Sequence, residues 1–145
     1  MSLFAYLVAP ALHLPVVDLT LLDGAAILAP GGADLLFAIL KFWPIGVAAG
    51  FGYAYGVAPN LPGANWLKGL VYGLALFLLL SLVAMPLAGL LHPAVTGGGI
   101  PQPGWLGLGL GGWAVPTVLL GDHLVFGVVL GAVYRAGPRV AEMGD

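Results

Sequence analysis

The chain has 145 residues, of which 61% are hydrophobic and 7% charged, with a formal net charge of −2. Soluble domains carry about 25% charged residues, and a mean hydropathy of +1.07 leaves too few polar side chains to cover an ordinary water-facing surface. The slight acidity provides no basic patch for nucleic acid, and the lack of cysteine excludes disulfides, thiolate metal sites and iron–sulfur clusters. The expected class is all-α: a polytopic membrane helical bundle, one transmembrane domain over residues 1–145, with three full transmembrane helices plus a short or partial N-terminal helix.

In chain order, residues 2–14 are apolar but fall short of the roughly 20 needed for a crossing. Pro10, Pro15, Asp18 and Asp23 interrupt them, so a partial helix is expected. Met1 to Leu12 has no positively charged start, so no cleavable leader is expected. Residues 18–28 suit a short interfacial helix with Asp18 as its N-cap. The first full crossing is predicted over residues 34–57. A turn of breaker residues, Ala58-Pro59-Asn60-Leu61-Pro62-Gly63, ends it. The second crossing is predicted over residues 66–91 and the third over residues 113–134. Between them lies a Gly/Pro-rich link, residues 93–112, too long for a tight connection, whose glycine-rich part, residues 107–112, reads as a flexible or re-entrant connector.

Lys68, Arg135 and Arg139 flank the short turn and the carboxyl end, whereas the 93–112 link has no lysine or arginine. The positive-inside rule therefore places the turn and the C-terminus in the cytoplasm, with the link non-cytoplasmic, as for a multi-pass protein of a cell inner membrane. Trp43, Trp66, Trp105 and Trp113, with Tyr53, Tyr55 and Tyr134, fall near predicted helix ends, where interfacial anchoring is the plainest role.

Glycines four apart mark each crossing: Gly46/Gly50, Gly52/Gly56, Gly69/Gly73 and Gly127/Gly131. Small residues at this spacing line one face and let helix backbones approach. Pro86 and Pro116 each remove a backbone hydrogen bond and can kink their helices.

Charge inside hydrocarbon is costly unless paired or hydrated. Lys41 lies roughly 10 Å into its helix, and Asp122 and His123 roughly 9–15 Å into theirs from the same side, at about 1.5 Å per residue. A buried Lys41–Asp122 ion pair with His123 beside it is expected. It serves either as a packing salt bridge or as a proton, ion or ligand site. His13, His92 and His123 all fall in the non-cytoplasmic half, a set from which a metal or haem site is conceivable. No two of them stand at ligand spacing, however, and capping or hydrogen bonding is the plainer role, so no cofactor is predicted.

Nucleophilic chemistry has little material. The serines are Ser2 and Ser81, and Ser81 is expected to bond its hydroxyl one turn back along its helix. No GxSxG, HExxH or phosphate-loop motif occurs, so a non-enzyme is expected.

The segments LHLPVVDL (12–19), YAYGV (53–57), LPGANWLKGLVYGLALFLLL (61–80), MPLAG (85–89) and HLVFGVVLGAVY (123–134) resemble a widespread bacterial family of small four-helix integral membrane proteins with no established function. The resemblance implies four crossings, the first longer than the apolar stretch that starts here at Met1, and it lends no catalytic residues. The leading functional expectation is a non-catalytic accessory subunit packed against other membrane protein subunits of a larger complex, such as a respiratory or photosynthetic electron-transfer assembly. The alternatives are a small transporter or channel component and a haem- or metal-binding electron carrier.

Overall fold

The computed structural model describes residues 44–134, and these are all helix and connection, with no strand among them. The first helical run, α1, covers residues 44–57, and its last part, Gly52–Val57, winds as a π-helix. The turn that follows holds Gly63 at φ +102, a left-handed conformation suited to glycine. Helix α2 then runs without a break over Asn65–Leu91. It comprises an α-helical stretch Asn65–Leu79, a π-helical stretch Leu80–Ala84 and a final α-helical stretch Met85–Leu91. A one-turn helix α3, Pro93–Thr96, and a 3₁₀ segment, Trp105–Leu110, occupy the link. Helix α4, Ala114–Val133, closes the described chain.

Helices α2 and α4 are both long and apolar enough to cross a membrane. The earlier part of the predicted first crossing, residues 34–43, lies outside the described residues, as do the N-terminal segment and the tail after residue 134.

α2 and α4 pack antiparallel. Asn65 and Gly69 lie against Gly131 and Gly127, Gly73 against Gly127 and His123, and Phe77 against His123. Further along, Phe77, Met85, Val115 and Leu119 form the apolar core, with Leu80, Leu106, Leu110 and Leu120 packed around it.

The buried positions of α2 are Gly69, Gly73, Phe77, Ser81, Met85 and Gly89, a strict four-residue row. In an ideal α-helix each four-residue step overshoots a turn by about 40°, so a row this long would wind off the contact face. The π segment, whose bonds span five residues, holds more residues per turn and runs that drift backwards. The row therefore stays on one face to the end of the helix.

Pro86 accounts for where this happens. Proline has no N–H, and its ring collides with the carbonyl four residues back, so the preceding turn must widen or kink. Here it widens: the Met85 N–H bonds the Leu80 carbonyl, five residues back, and the helix continues. Pro116 falls in the first turn of α4, where the missing N–H has no helical partner to lose.

The link folds back onto the helices. Pro103 is fully buried, and Leu106, a non-glycine residue at φ 59, turns the chain so that its side chain joins the core. Beside it, buried Gly107 at φ +73 lies so close to Val115 that an added Cβ would stand 3.0 Å from its Cγ1. The segment Trp105–Leu110 of the link is thus packed against α2 and α4.

Candidate functional site

The sequence pointed to three sets of residues: the small-residue faces, the mid-helix charges and the histidines. The structure separates them.

Gly69, Gly73, Gly127 and Gly131 form one reciprocal seam. A Cβ at Gly69 would overlap the Gly127 carbonyl oxygen, and one at Gly127 would overlap the Gly69 carbonyl oxygen. One at Gly73 would strike the His123 carbonyl, and one at Gly131 the Asn65 carbonyl. Backbone meets backbone here, which only glycine permits, and weak Cα–H contacts to carbonyls accompany such approaches. The glycines of α1 differ. Gly52 lies against the Tyr72 hydroxyl, whereas Cβ atoms built at Gly46, Gly50 and Gly56 meet nothing within 4 Å among the described residues.

Asp122 and His123 sit half-buried near the middle of α4. The His123 Nδ1 lies 2.8 Å from the Leu119 carbonyl oxygen. A carbonyl only accepts, so Nδ1 carries the proton in this bond. The imidazole ring meets Phe77 edge-on at 6.3 Å. Lys41, the expected partner of Asp122, lies outside the described residues, and so do His13 and Trp43.

His92 ends α2, where its carbonyl accepts the Val95 and Thr96 N–H groups at 3.0 Å and the Thr96 hydroxyl at 3.2 Å. It lies about 20 Å along α2 from Phe77, which contacts His123, given about 1.5 Å of rise per residue. His92 and His123 therefore do not share a coordination sphere. No group of three His, Asp or Glu side chains suited to a metal gathers among the described residues.

Sequence reading missed a fourth set. Tyr53, expected at an interface, is fully buried. Its hydroxyl donates to the Asn65 carbonyl at 3.1 Å, and its ring packs against Tyr72 at 5.6 Å and edge-on against Tyr134 at 5.4 Å. The surrounding donors all reach back to carbonyls of α1 or of the residue that follows it. The Tyr72 hydroxyl donates to Ala49 at 2.8 Å, Lys68 Nζ to Ala58 at 2.8 Å, and the Tyr134 hydroxyl to Ala54 at 3.5 Å. Carbonyls at a helix C-terminus have no partner within the helix, so Tyr134 and Lys68 cap the end of α1, Tyr72 holds its middle, and the knot of side chains ties three helices together. The signal in the sequence was the tyrosines themselves, but their anchoring role at helix ends is the commoner one. Of the tyrosines and tryptophans expected at interfaces, Tyr55, Trp66, Trp105 and Trp113 are exposed among the described residues.

Comparison with known protein families, with characterised proteins and with solved structures yields no match.

Proposed function

We propose that this chain is a non-catalytic integral membrane subunit that packs against a larger membrane protein complex, of the kind that carries electron transfer in an inner membrane. The observation that carries this reading is the surface of the two long helices. Only 22% of the most apolar window of α2 and 33% of that of α4 is buried. Large apolar side chains stand open along both, from Leu67, Val71 and Leu78 to Leu90 and Leu91 on α2, and Val125, Val129 and Val133 on α4. A core helix of a soluble protein would be covered; these faces suit lipid or a protein neighbour. Among the described residues nothing approaches the Cβ positions of Gly46 and Gly50 on α1, a surface on which another helix can approach closely.

Membrane fractionation tests the first half: the chain should stay with the bilayer through an alkaline carbonate wash. Native purification in mild detergent tests the second: a complex of fixed composition should accompany the chain. Release by carbonate removes the whole reading. Native purification that recovers no partner with the chain removes the accessory role.

A second reading, a small transporter or channel component, is favoured by the half-buried placement of Asp122 and His123 midway along a span. Charge-removing substitutions at Lys41 and Asp122 separate the two. Rescue by the double change marks a packing ion pair, and loss in all three variants marks a transport site.

A further inference from the structure

Each π-helical segment is followed by a proline at the same offset, and one of the two is left chemically incomplete. In α1 the Ala58 N–H bonds the Tyr53 carbonyl, five residues back, and Pro59 follows. In α2 the Met85 N–H bonds the Leu80 carbonyl, five residues back, and Pro86 follows. The residue after the bonded carbonyl, Ala54 in α1 and Ser81 in α2, then has no helical donor. The N–H four residues on is already directed one residue further back, and the residue five on is a proline with no N–H. A buried carbonyl without a donor is rare.

The chain supplies the missing donor once. The Ala54 carbonyl accepts from the Tyr134 hydroxyl at 3.5 Å. Phe77 and Met85, four residues to either side of Ser81 on the same row of α2, belong to the apolar core with Val115 and Leu119. Ser81 itself is 0% exposed, and its Oγ has no hydrogen-bond partner. Sequence reasoning expected this hydroxyl to bond one turn back, which is the usual way for a serine in a helix to satisfy itself. It does not, so one residue presents both an unpartnered hydroxyl and a carbonyl with no backbone donor.

From this pairing we infer that the π segment of α2 is a binding site for one buried water molecule. The water donates to the Ser81 carbonyl and accepts from the Ser81 hydroxyl, as the Tyr134 hydroxyl serves Ala54 in α1. Water is the ligand that fits because both groups are neutral and one donor and one acceptor are needed; a cation would face an apolar core with no compensating charge. The site holds α2 in its widened register without breaking the helix, and so keeps Met85 and Gly89 on the row that meets α4 and the link. The inference concerns the interior of the helix pair and does not rest on which complex the chain joins.

The test uses the full chain purified in detergent or nanodiscs. A structure at a resolution that shows ordered solvent should place density within hydrogen-bond distance of Ser81 Oγ and the Ser81 carbonyl oxygen. Apolar density or none at that position overturns the proposal. Thermal unfolding of S81A and S81C provides a second reading with an opposite sign for the two cases. Removing a hydroxyl that is bonded to a bound water lowers the midpoint, by a few degrees. Removing one that is buried and unpartnered raises it or leaves it unchanged, and that result also overturns the proposal. P86A restores an N–H to this turn, so in that background the S81A shift should shrink; an undiminished shift counts against the shared water.

Discussion

At the residue scale the seam is the most sensitive feature. Gly69, Gly73, Gly127 and Gly131 bring two backbones into direct contact, and there is no flexible side chain to give way. Gly127→Ala is expected to force the helices apart and to cost about 1–3 kcal/mol, read as a lowered unfolding midpoint in detergent. Gly50→Ala is the control, since among the described residues nothing approaches its Cβ position, and it should change the stability of the isolated chain by less than about 0.5 kcal/mol. Equal effects would mean that the seam is not the principal contact. Tyr53 illustrates a different residue-scale term. Its hydroxyl makes one hydrogen bond to the Asn65 carbonyl inside a closed aromatic cluster. Tyr53→Phe keeps the ring packing and loses that bond, for an expected cost of about 1 kcal/mol in the same unfolding measurement. A neutral result would mean that the Asn65 carbonyl is served equally well without it.

At the element scale the link between α2 and α4 stands out, because a glycine- and proline-rich segment would ordinarily be mobile. Here Pro103 and Gly107 are buried and Leu106 enters the core, held in a left-handed conformation that is unfavourable for leucine. That conformation persists because burial of the leucine side chain among Phe77, Met85, Val115 and Leu119 offsets it. Gly107→Val combines a strained φ with a collision against Val115 and is expected to release the segment from the helices. Limited proteolysis should then cut within residues 97–112 at a markedly higher rate than in the parent chain, while α2 and α4 stay protected. Cutting at an unchanged rate would show that the link is not docked.

For the whole molecule, the geometry of α2 has a consequence for sidedness. If α2 crosses a bilayer, the 58–63 turn and the 97–104 part of the link emerge on opposite faces. The chain has no cysteine, so single cysteines introduced at Asn60 and at Gly98, both exposed, report without background. A membrane-impermeant thiol reagent applied to intact cells should label the Gly98 position alone, because the charge bias puts the turn with Lys68 in the cytoplasm. Labelling of both positions would exclude the crossing. The open glycines of α1 belong to this scale too. Gly50→Leu should leave the isolated chain folded yet reduce recovery of the native complex, if that face meets a partner helix.

How much of this was legible beforehand depends on how far apart the interacting groups lie in the chain. The two long helices, the turn between α1 and α2 and the end of α4 follow from uninterrupted apolar runs and from prolines and glycines at their borders. Helix formation couples residues four apart, so the sequence carries that information locally: the predicted 66–91 differs from Asn65–Leu91 by one residue at its start, and 113–134 from Ala114–Val133 by one residue at each end. The glycine spacing was legible as well, but not its use. Gly69 and Gly127 differ from Gly46 and Gly50 only in having a neighbour at the right height, which the antiparallel pairing of α2 and α4 decides. The burial of Tyr53, the left-handed turn at Leu106 and the separation of His92 from His123 are of the same kind. Each depends on what another element presents to that residue. Composition and local hydrogen bonding determined that the chain would be helical and apolar. Proline placement decided where the helices would widen, and only tertiary contact decided which faces would meet and which polar groups would find partners in another element.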